Sequence, residues 1–254
     1  MNTQPFDDLT EVYEAMIDWP KRLANEEPFY RFCFDQTAVR SVLDVACGTA
    51  HHAAMFASWG LQVEGRDRSP EMIDRCANRY GSDPNLRFSL HSFQDPPPDD
   101  RVFDASLCVG NSLALADDLQ QAEQTIRHML ASVRDGGLVI VHVLNLWHLP
   151  DGPCVWQKFL RRSIRDQDVV VLKGVHRNGD QGFVDLAVVP IEAPSRARTE
   201  SIRFLGLDGS RLSQWAVKGG ADSVRLYGDY RRQPYSQQQS PDLIMVARKS
   251  ISPR

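Results

Sequence analysis

The sequence predicts an α/β protein built around a parallel sheet. From residue 42 onward, short apolar runs alternate with longer amphipathic stretches, which is the pattern of strands that are each followed by a crossover helix. The chain has 254 residues, of which 42% are hydrophobic and 24% are charged. This length and composition suit a globular protein with one large domain, or one domain with an appendage.

The first half of the chain predicts a regular series of strands and helices. Residues 41–46 (SVLDVA) are expected to form a buried strand. Ser69, Pro70 and Glu71 suit a helix start, because serine caps, proline tolerates the first helical position and glutamate favours the positive end of the helix dipole. The other predicted strands are 61–66, 86–90, 103–109 and 138–144, and the predicted helices are 50–59, 69–80 and 118–133.

The second half predicts antiparallel structure. Beyond residue 151, the strand-like segments 168–175, 183–191 and 199–205 follow one another without helices, and Asn178-Gly179 suits a tight hairpin. A short helix at 211–218 and strands at 224–230 and 243–248 are expected to close the main sheet with a hairpin.

Charge and cysteine usage exclude several classes of protein. The 29 basic and 33 acidic residues give a net charge of -4, which does not predict a nucleic-acid partner. The five cysteines are scattered, without a C-x-x-C pair or a ligand-spaced cluster, so we expect a reduced, cytoplasmic chain without a metal. The acidic N-terminal segment and the lack of a long apolar run predict no signal peptide and no membrane partner.

The turn after the first strand predicts the kind of ligand. It reads DVACGTA from Asp44 to Ala50, with small residues where a ligand comes close to the backbone. A dinucleotide fingerprint needs three glycines, and Asp44 would repel a pyrophosphate, which disfavours an NAD-dependent dehydrogenase. An acid there suits a cationic ligand, and Asp67 at the end of the second strand can accept bonds from ribose hydroxyls. Ribose plus an amine, without phosphate, describes S-adenosylmethionine.

Four segments carry a resemblance to a known family. VLDVACGTA, VEGRDRSPEMI, FDASLCVGNSLALADD and VRDGGLVIVHVLN resemble the class I S-adenosylmethionine-dependent methyltransferases. CVGNSLALADD, Asn145 and the predicted insert are similar to the glycine and sarcosine N-methyltransferase group. The resemblance implies a Rossmann-like, seven-stranded, mostly parallel sheet with a C-terminal antiparallel hairpin and an added antiparallel insert.

The same resemblance implies a division of the chain. It comprises an N-terminal helical lid (1–40), a core that binds S-adenosylmethionine (41–150), an insert that covers the substrate (151–209), and a C-terminal helix and strand hairpin that complete the core sheet (210–254).

Site roles follow from the resemblance residue by residue. Asp44, Ala46 and Gly48 would line the methionine moiety, Asp67 the ribose, and Met72 one face of the adenine. The remaining cofactor candidates are Arg68 after Asp67, Ser92 and Phe93 beside the adenine, Cys108, Val109 and Gly110 beneath the sulfonium, and Tyr13 and Arg22 from the lid, with Arg22 pairing the methionine carboxylate. The departures from the family pattern are Ala46 and Ala50 in place of glycine and Arg68 in place of an apolar residue.

The predicted activity is methyl transfer to a small-molecule acceptor, with S-adenosylhomocysteine as product. The displacement needs alignment and exclusion of water more than a dedicated base, so Asn111, Asn145 and His142 are only candidates for orienting or deprotonating the acceptor. An amine nitrogen is the expected site of methylation; O-methylation and an inactive protein of this fold that acts by binding a partner remain alternatives. Arg165 or Arg177 would anchor an acceptor carboxylate, and both a monomer and a homodimer remain possible.

Overall fold

The computed structural model describes residues 10–97, 101–164 and 166–251. Its helices are α1 (Thr10–Met16), α2 (Trp19–Asp35), α3 (His51–Ser58), α4 (Pro70–Tyr80), α5 (Leu119–Ala131) and α6 (Gly209–Lys218). Its strands are β1 (Ser41–Asp44), β2 (Gln62–Asp67), β3 (Leu86–Leu90), β4 (Phe103–Cys108), β5 (Val133–Leu144), β6 (Val155–Ile164), β7 (Gln167–Asn178), β8 (Gln181–Pro190), β9 (Arg198–Leu205), β10 (Ala221–Tyr227) and β11 (Asp242–Lys249).

The main sheet has seven strands in the order β10-β11-β5-β4-β1-β2-β3. Strands β1 to β5 are parallel to one another, whereas β11 is antiparallel to both β5 and β10. This order and direction confirm the predicted Rossmann-like sheet with its closing C-terminal hairpin.

Helices cover both faces of the main sheet, so its central strands are apolar on both sides. Along β5, Val139 and Val141 belong to the apolar cluster that contains α5 and α6, whereas Leu138 and Ile140 belong to the cluster that contains α2 and α3. Side chains on a strand alternate between faces, and this alternation therefore places the two helix pairs on opposite sides of the sheet.

Side-chain caps fix where several helices begin. The Ser69 hydroxyl accepts a hydrogen bond from Met72 N at the start of α4, as the sequence predicts. Asp118 and Asp208 cap α5 and α6 in the same way, each through the backbone N–H three residues later. These caps satisfy backbone donors that the first helical turn leaves without partners.

A second sheet of four antiparallel strands, β6-β7-β8-β9, follows the core as the predicted insert. Asn178 pairs with Gln181 across the hairpin, and Gly179 adopts the left-handed conformation with φ +62° that such a turn favours. Strand β6 is absent from the strands predicted from sequence. It is an edge strand, and its large apolar residues Trp156 and Phe159 are both exposed, so it lacks the simple alternation of a half-buried strand.

The N-terminal helices connect the core to the insert. Val12 and Met16 of α1 pack in one apolar cluster with Val169 and Val171 of β7 and with Leu186 of β8. Among the described residues, no helix is long and apolar enough to cross a membrane.

We expect Gly182→Ala to lower the free energy of unfolding by about 1 to 3 kcal/mol, because it overpacks the insert. Gly182 pairs with Phe204 across β8 and β9, and a Cβ atom at position 182 would lie 2.1 Å from the Phe204 ring. Phe204 is only 1% exposed and has no free space to move into. Chemical denaturation monitored by circular dichroism measures the change.

Gln181→Ala, at the exposed neighbouring position, is the matched control and should change the free energy by less than about 0.5 kcal/mol. In the double variant Gly182→Ala/Phe204→Leu, the smaller leucine side chain should recover part of the lost free energy of unfolding. An unchanged free energy in Gly182→Ala would show that this contact does not constrain the insert.

Candidate functional site

A cleft opens where β1, β2 and β4 end at the same edge of the main sheet. Gly48, with φ +53°, lies in the turn after β1, and its N–H donates to Asp67 Oδ2 at 2.9 Å. Asp67 Oδ1 accepts from Ser69 N at 3.0 Å, and burial raises the pKa of this carboxyl group. Each carboxylate oxygen has more than one lone pair, so Asp67 retains acceptor capacity for a pair of hydroxyl groups.

Asp44 is a buried acid with an unsatisfied oxygen. It is 1% exposed, and Oδ1 has no hydrogen-bond partner among the described residues. Burial raises the pKa of Asp44 to about 7, and the nearby charge of Asp67 acts in the same direction. A cationic group at this end of β1 would supply the missing partner, which fits the ammonium group of S-adenosylmethionine.

Most of the predicted cofactor residues line one cavity in this cleft: Tyr13, Arg22, Ala46, Gly48, Asp67, Arg68, Met72, Phe93, Val109 and Gly110. Asp44 and Cys108 are buried and lie outside the lining. Ser92 also lies outside it, where its hydroxyl accepts a bond from Gln94 N. Of the two alanines that replace glycine, Ala46 lines the cavity. Ala50 is buried at the start of α3 with φ +64° and lies outside the lining.

Two carboxylates hold the N-terminal helices over the cavity, and sequence reasoning missed both. Glu14 bonds to the Thr49 hydroxyl and, at 2.9 Å, to His51 Nε2. Glu26 Oε2 lies 2.7 Å from His52 Nε2. Burial alone would raise the pKa of Glu26, but the hydrogen bond from His52 and the charge of Arg22 lower it to about 2.

These contacts place Trp19, Tyr13 and Arg22 above the end of β4. Trp19 stacks on His51 with ring centroids 4.0 Å apart, and Arg22 Nε donates to Glu26 Oε1 at 2.7 Å. A Cβ atom at Gly110 would lie 3.6 Å from Arg22 Nη2 and 4.0 Å from Tyr13 Oη. The lid segment therefore reaches the position where the sequence predicts the sulfonium.

A second cavity adjoins the first and shares Tyr13, Arg22, Gly110 and Leu115 with it. One wall comes from the insert, and it presents Lys158 from β6 and Lys173 from β7. The lining also contains Asn111, His142 and Asp242 from the main sheet and its loops. The second cavity thus combines cations of the insert with an acid of the main sheet, next to the end of β4.

Lys173 is a half-buried cation without a counter-charge among the described residues. It pairs directly with Lys158 across β6 and β7. Lys158 Nζ donates to Met16 O at 2.9 Å, whereas Lys173 Nζ has no hydrogen bond or ion pair within the described part of the chain. Burial, with the charges of Lys158 and Arg22, lowers the pKa of Lys173 to about 8. Like charges placed opposite each other destabilise a sheet, so the stability of the insert does not explain why the two lysines are paired.

The structure separates the three candidates for acceptor chemistry. Asn111 lines the second cavity with φ +74°, and its Oδ1 accepts from Leu144 N at 3.0 Å. His142 also lines it, but Nδ1 accepts from Gly110 N at 3.2 Å, so Nε2 must carry the proton that is shared with Asp242 at 3.1 Å. Both ring nitrogens are therefore engaged, and His142 positions the loop after β4.

Asn145 does not reach either cavity. Its amide donates to the carbonyl oxygens of Gln237 and Ser240, and Tyr235 donates to its Oδ1, so it anchors the loop before β11. Arg177 is likewise occupied: Nε donates to Leu149 O, and the guanidinium pairs with Asp151. Arg165 lies outside the described residues.

The comparisons with known proteins agree with this geometry. Residues 42–137 match a family model described as a methyltransferase domain. The chain is 30% identical over 148 residues to a glycine/sarcosine N-methyltransferase of Parasynechococcus marenigrum (strain WH8102), a match that covers 58% of the chain and 52% of that relative. The chain thus spans about half the length of this relative. A glycine/sarcosine N-methyltransferase of Aphanothece halophytica is 21% identical over 245 residues, covering 95% of the chain and 88% of the relative.

Solved structures share the fold. An amino pentose methyltransferase from Micromonospora echinaspora, in complex with S-adenosylmethionine, superimposes with a TM-score of 0.73 at 17% identity and covers 98% of this chain and 100% of its own. At this identity the likeness concerns the fold alone.

We expect the affinity for S-adenosylmethionine to fall as the pH is lowered from 7.5 to 5.5. Asp44, with a pKa of about 7, becomes protonated over this range and would lose the charge that we expect to pair with the ammonium group. In Asp44→Asn the affinity should be at least about tenfold weaker and nearly independent of pH, since a charge-assisted hydrogen bond contributes roughly 1.5 to 3 kcal/mol. Titration calorimetry at several pH values measures both effects.

Stability of the ligand-free protein provides the control. The folded pKa of Asp44 lies above its ordinary value of 3.8, so its contribution to stability is present below about pH 4 and is lost as the pH rises through 7. Asp44→Asn should therefore be at least as stable as the parent at pH 8. If Asp44→Asn folds and binds S-adenosylmethionine with unchanged affinity, Asp44 is excluded from the cofactor site.

Proposed function

We propose that this chain, which belongs to the class I S-adenosylmethionine-dependent methyltransferases, transfers a methyl group to an amine nitrogen of a small molecule that also carries an anionic group. The observation that carries the proposal is the second cavity, which opens at the end of β4 and presents the uncompensated Lys173. The similarity to glycine/sarcosine N-methyltransferases favours an amine as the acceptor.

In the proposed site, each cofactor group has a partner in this chain. S-adenosylmethionine supplies an electrophilic methyl group on a sulfonium sulfur. Asp44 would bind the ammonium group and Asp67 the ribose hydroxyls. The other proposed cofactor residues are Tyr13, Arg22, Ala46, Gly48, Arg68, Met72, Phe93, Val109 and Gly110, which line the cavity. Arg22 has one side engaged by Glu26 and leaves guanidinium N–H groups for the methionine carboxylate.

The acceptor amine would bind between Asn111 and Asp242. Asp242 lines the second cavity, and its Oδ1 lies 3.1 Å from the protonated nitrogen of His142. Its carboxylate retains lone pairs and can accept a hydrogen bond from an amine, which orients the nitrogen and favours loss of its proton. The lid segment covers this space, excludes water and holds the reacting groups in line.

The anionic group of the acceptor would bind to Lys173 and Lys158. Two opposed cations at half-buried positions are unfavourable until an anion lies between them, and binding then relieves the repulsion. The shared chemistry is a carboxylate or a phosphate, and both ions accept several hydrogen bonds from ammonium groups.

We expect amines with an anionic group to be methylated more efficiently than their uncharged counterparts. The test measures formation of S-adenosylhomocysteine with matched pairs: glycine and glycinamide, β-alanine and its amide, 2-aminoethyl phosphate and ethanolamine. For the best anionic acceptor, Lys173→Met should raise KM about tenfold or more, because one charge-assisted bond is lost. The affinity for S-adenosylmethionine should change less than twofold.

Lys218→Met on exposed α6 is the matched control and should have no effect on KM. Equal efficiency with charged and uncharged amines would contradict the anionic subsite. Transfer to hydroxyl compounds such as lactate, without transfer to any amine, would overturn the nitrogen assignment.

A further inference from the structure

A second cluster of reactive side chains lies on the outer face of the insert sheet. Cys154 precedes β6, His176 belongs to β7, and Asp185 belongs to β8. None of the three lines the cofactor cavity or the acceptor cavity. The methyltransferase function therefore does not account for this cluster.

The register of the strands brings the three residues together. Asp185 lies opposite Gly174, and a Cβ atom at position 174 would lie 2.2 Å from Cys154 Sγ, so the sulfur occupies the space that a side chain would fill. The His176 ring stacks on Phe183, with centroids 4.8 Å apart, which fixes its orientation. Glycine and phenylalanine thus hold the thiol and the imidazole in place.

The donor atoms of the three side chains lie close together. His176 Nδ1 is 2.8 Å from Asp185 Oδ2, yet the two atoms lack the alignment of a hydrogen bond, and Nδ1 is buried with no hydrogen-bond partner among the described residues. The sulfur, nitrogen and oxygen donors are all within 4.8 Å of one another. Ligands of a tetrahedral zinc ion lie roughly 3 to 4 Å apart, so small shifts of these side chains would bring all three into range of one ion.

We propose that Cys154, His176 and Asp185 form a zinc-binding site with one position left for water. Thiolate, imidazole and carboxylate are the ligand types that zinc prefers, and a set of three with an open fourth position is common for this ion. On binding, the Cys154 S–H bond breaks, the thiolate bonds to the metal, and the proton passes to the buffer; no electron is transferred. The ion would tie the start of edge strand β6 to the centre of the insert sheet.

Cobalt(II) titration of the full chain tests the site, because cobalt reports its own ligands. The metal-free protein, reduced with a phosphine, should bind one Co²⁺ and develop a sulfur-to-cobalt charge-transfer band in the near ultraviolet together with visible bands of a tetrahedral complex. Zinc should then displace the cobalt. Cys154→Ser should abolish the charge-transfer band, and His176→Gln should weaken cobalt binding about tenfold or more.

Cys33→Ser and His148→Gln are the matched controls, because both residues lie outside the cluster. Each should retain the band and the affinity. A charge-transfer band that persists in Cys154→Ser, or titration of the reduced parent without such a band, would overturn the proposal. Neither readout depends on methyl transfer, so failure of this site leaves the proposed function unaffected.

Discussion

The position of β1 between β2 and β4 determines where this molecule can bind a ligand. The chain runs from β1 to β2 and β3 on one side and continues through β4 and β5 on the other, so the sheet order reverses at β1. A crevice forms at such a point beyond the carboxyl ends of the strands. Asp44 and Asp67 end β1 and β2, whereas Gly48 and Gly110 follow β1 and β4. The parallel pairing of these strands brings all four residues to this edge.

The crevice becomes an enclosed site only through the lid segment, which is held by paired carboxylates and imidazoles. Glu14 and Glu26, on successive helices, bind the adjacent His51 and His52 at the start of α3, close to the glycine turn. Burial lowers the pKa of His52, so its neutral ring donates to the ionised Glu26. Because α1 also packs on β7, one set of contacts fixes the lid segment against both the core and the insert.

Sequence predicted the parts of this structure that depend on neighbouring residues. The strand of residues 86–90, the caps of α4 and the turn after β1 are local features, and the structure has them at the expected positions. Features that depend on distant residues were missed or misplaced. Asn145 follows β5 as a site residue would, but Gln237 and Ser240 occupy its amide, and these contacts have no signal in the local sequence.

In the insert, too, the features that the sequence did not predict depend on distant residues. Arg177 is one of the two arginines that the sequence suggests for an acceptor carboxylate, yet Asp151 pairs with it at the end of the β7–β8 hairpin. Lys158 and Lys173 lie on two strands whose pairing register places them opposite each other. That register depends on the hairpin between β6 and β7, and the sequence did not predict β6.

Register also explains how one strand serves two chemically different surfaces. Along β7, Val171, Lys173 and Val175 are on the face directed to the lid segment and the acceptor cavity, whereas Gly174 and His176 are on the outer face. A slip by one residue would move the lysine to solvent and bring the histidine inward. The turn at Gly179 opposes such a slip, and so does Gly182, because only a residue without a side chain fits beneath Phe204. The separation of the two surfaces of the insert thus depends on two glycines that belong to neither surface.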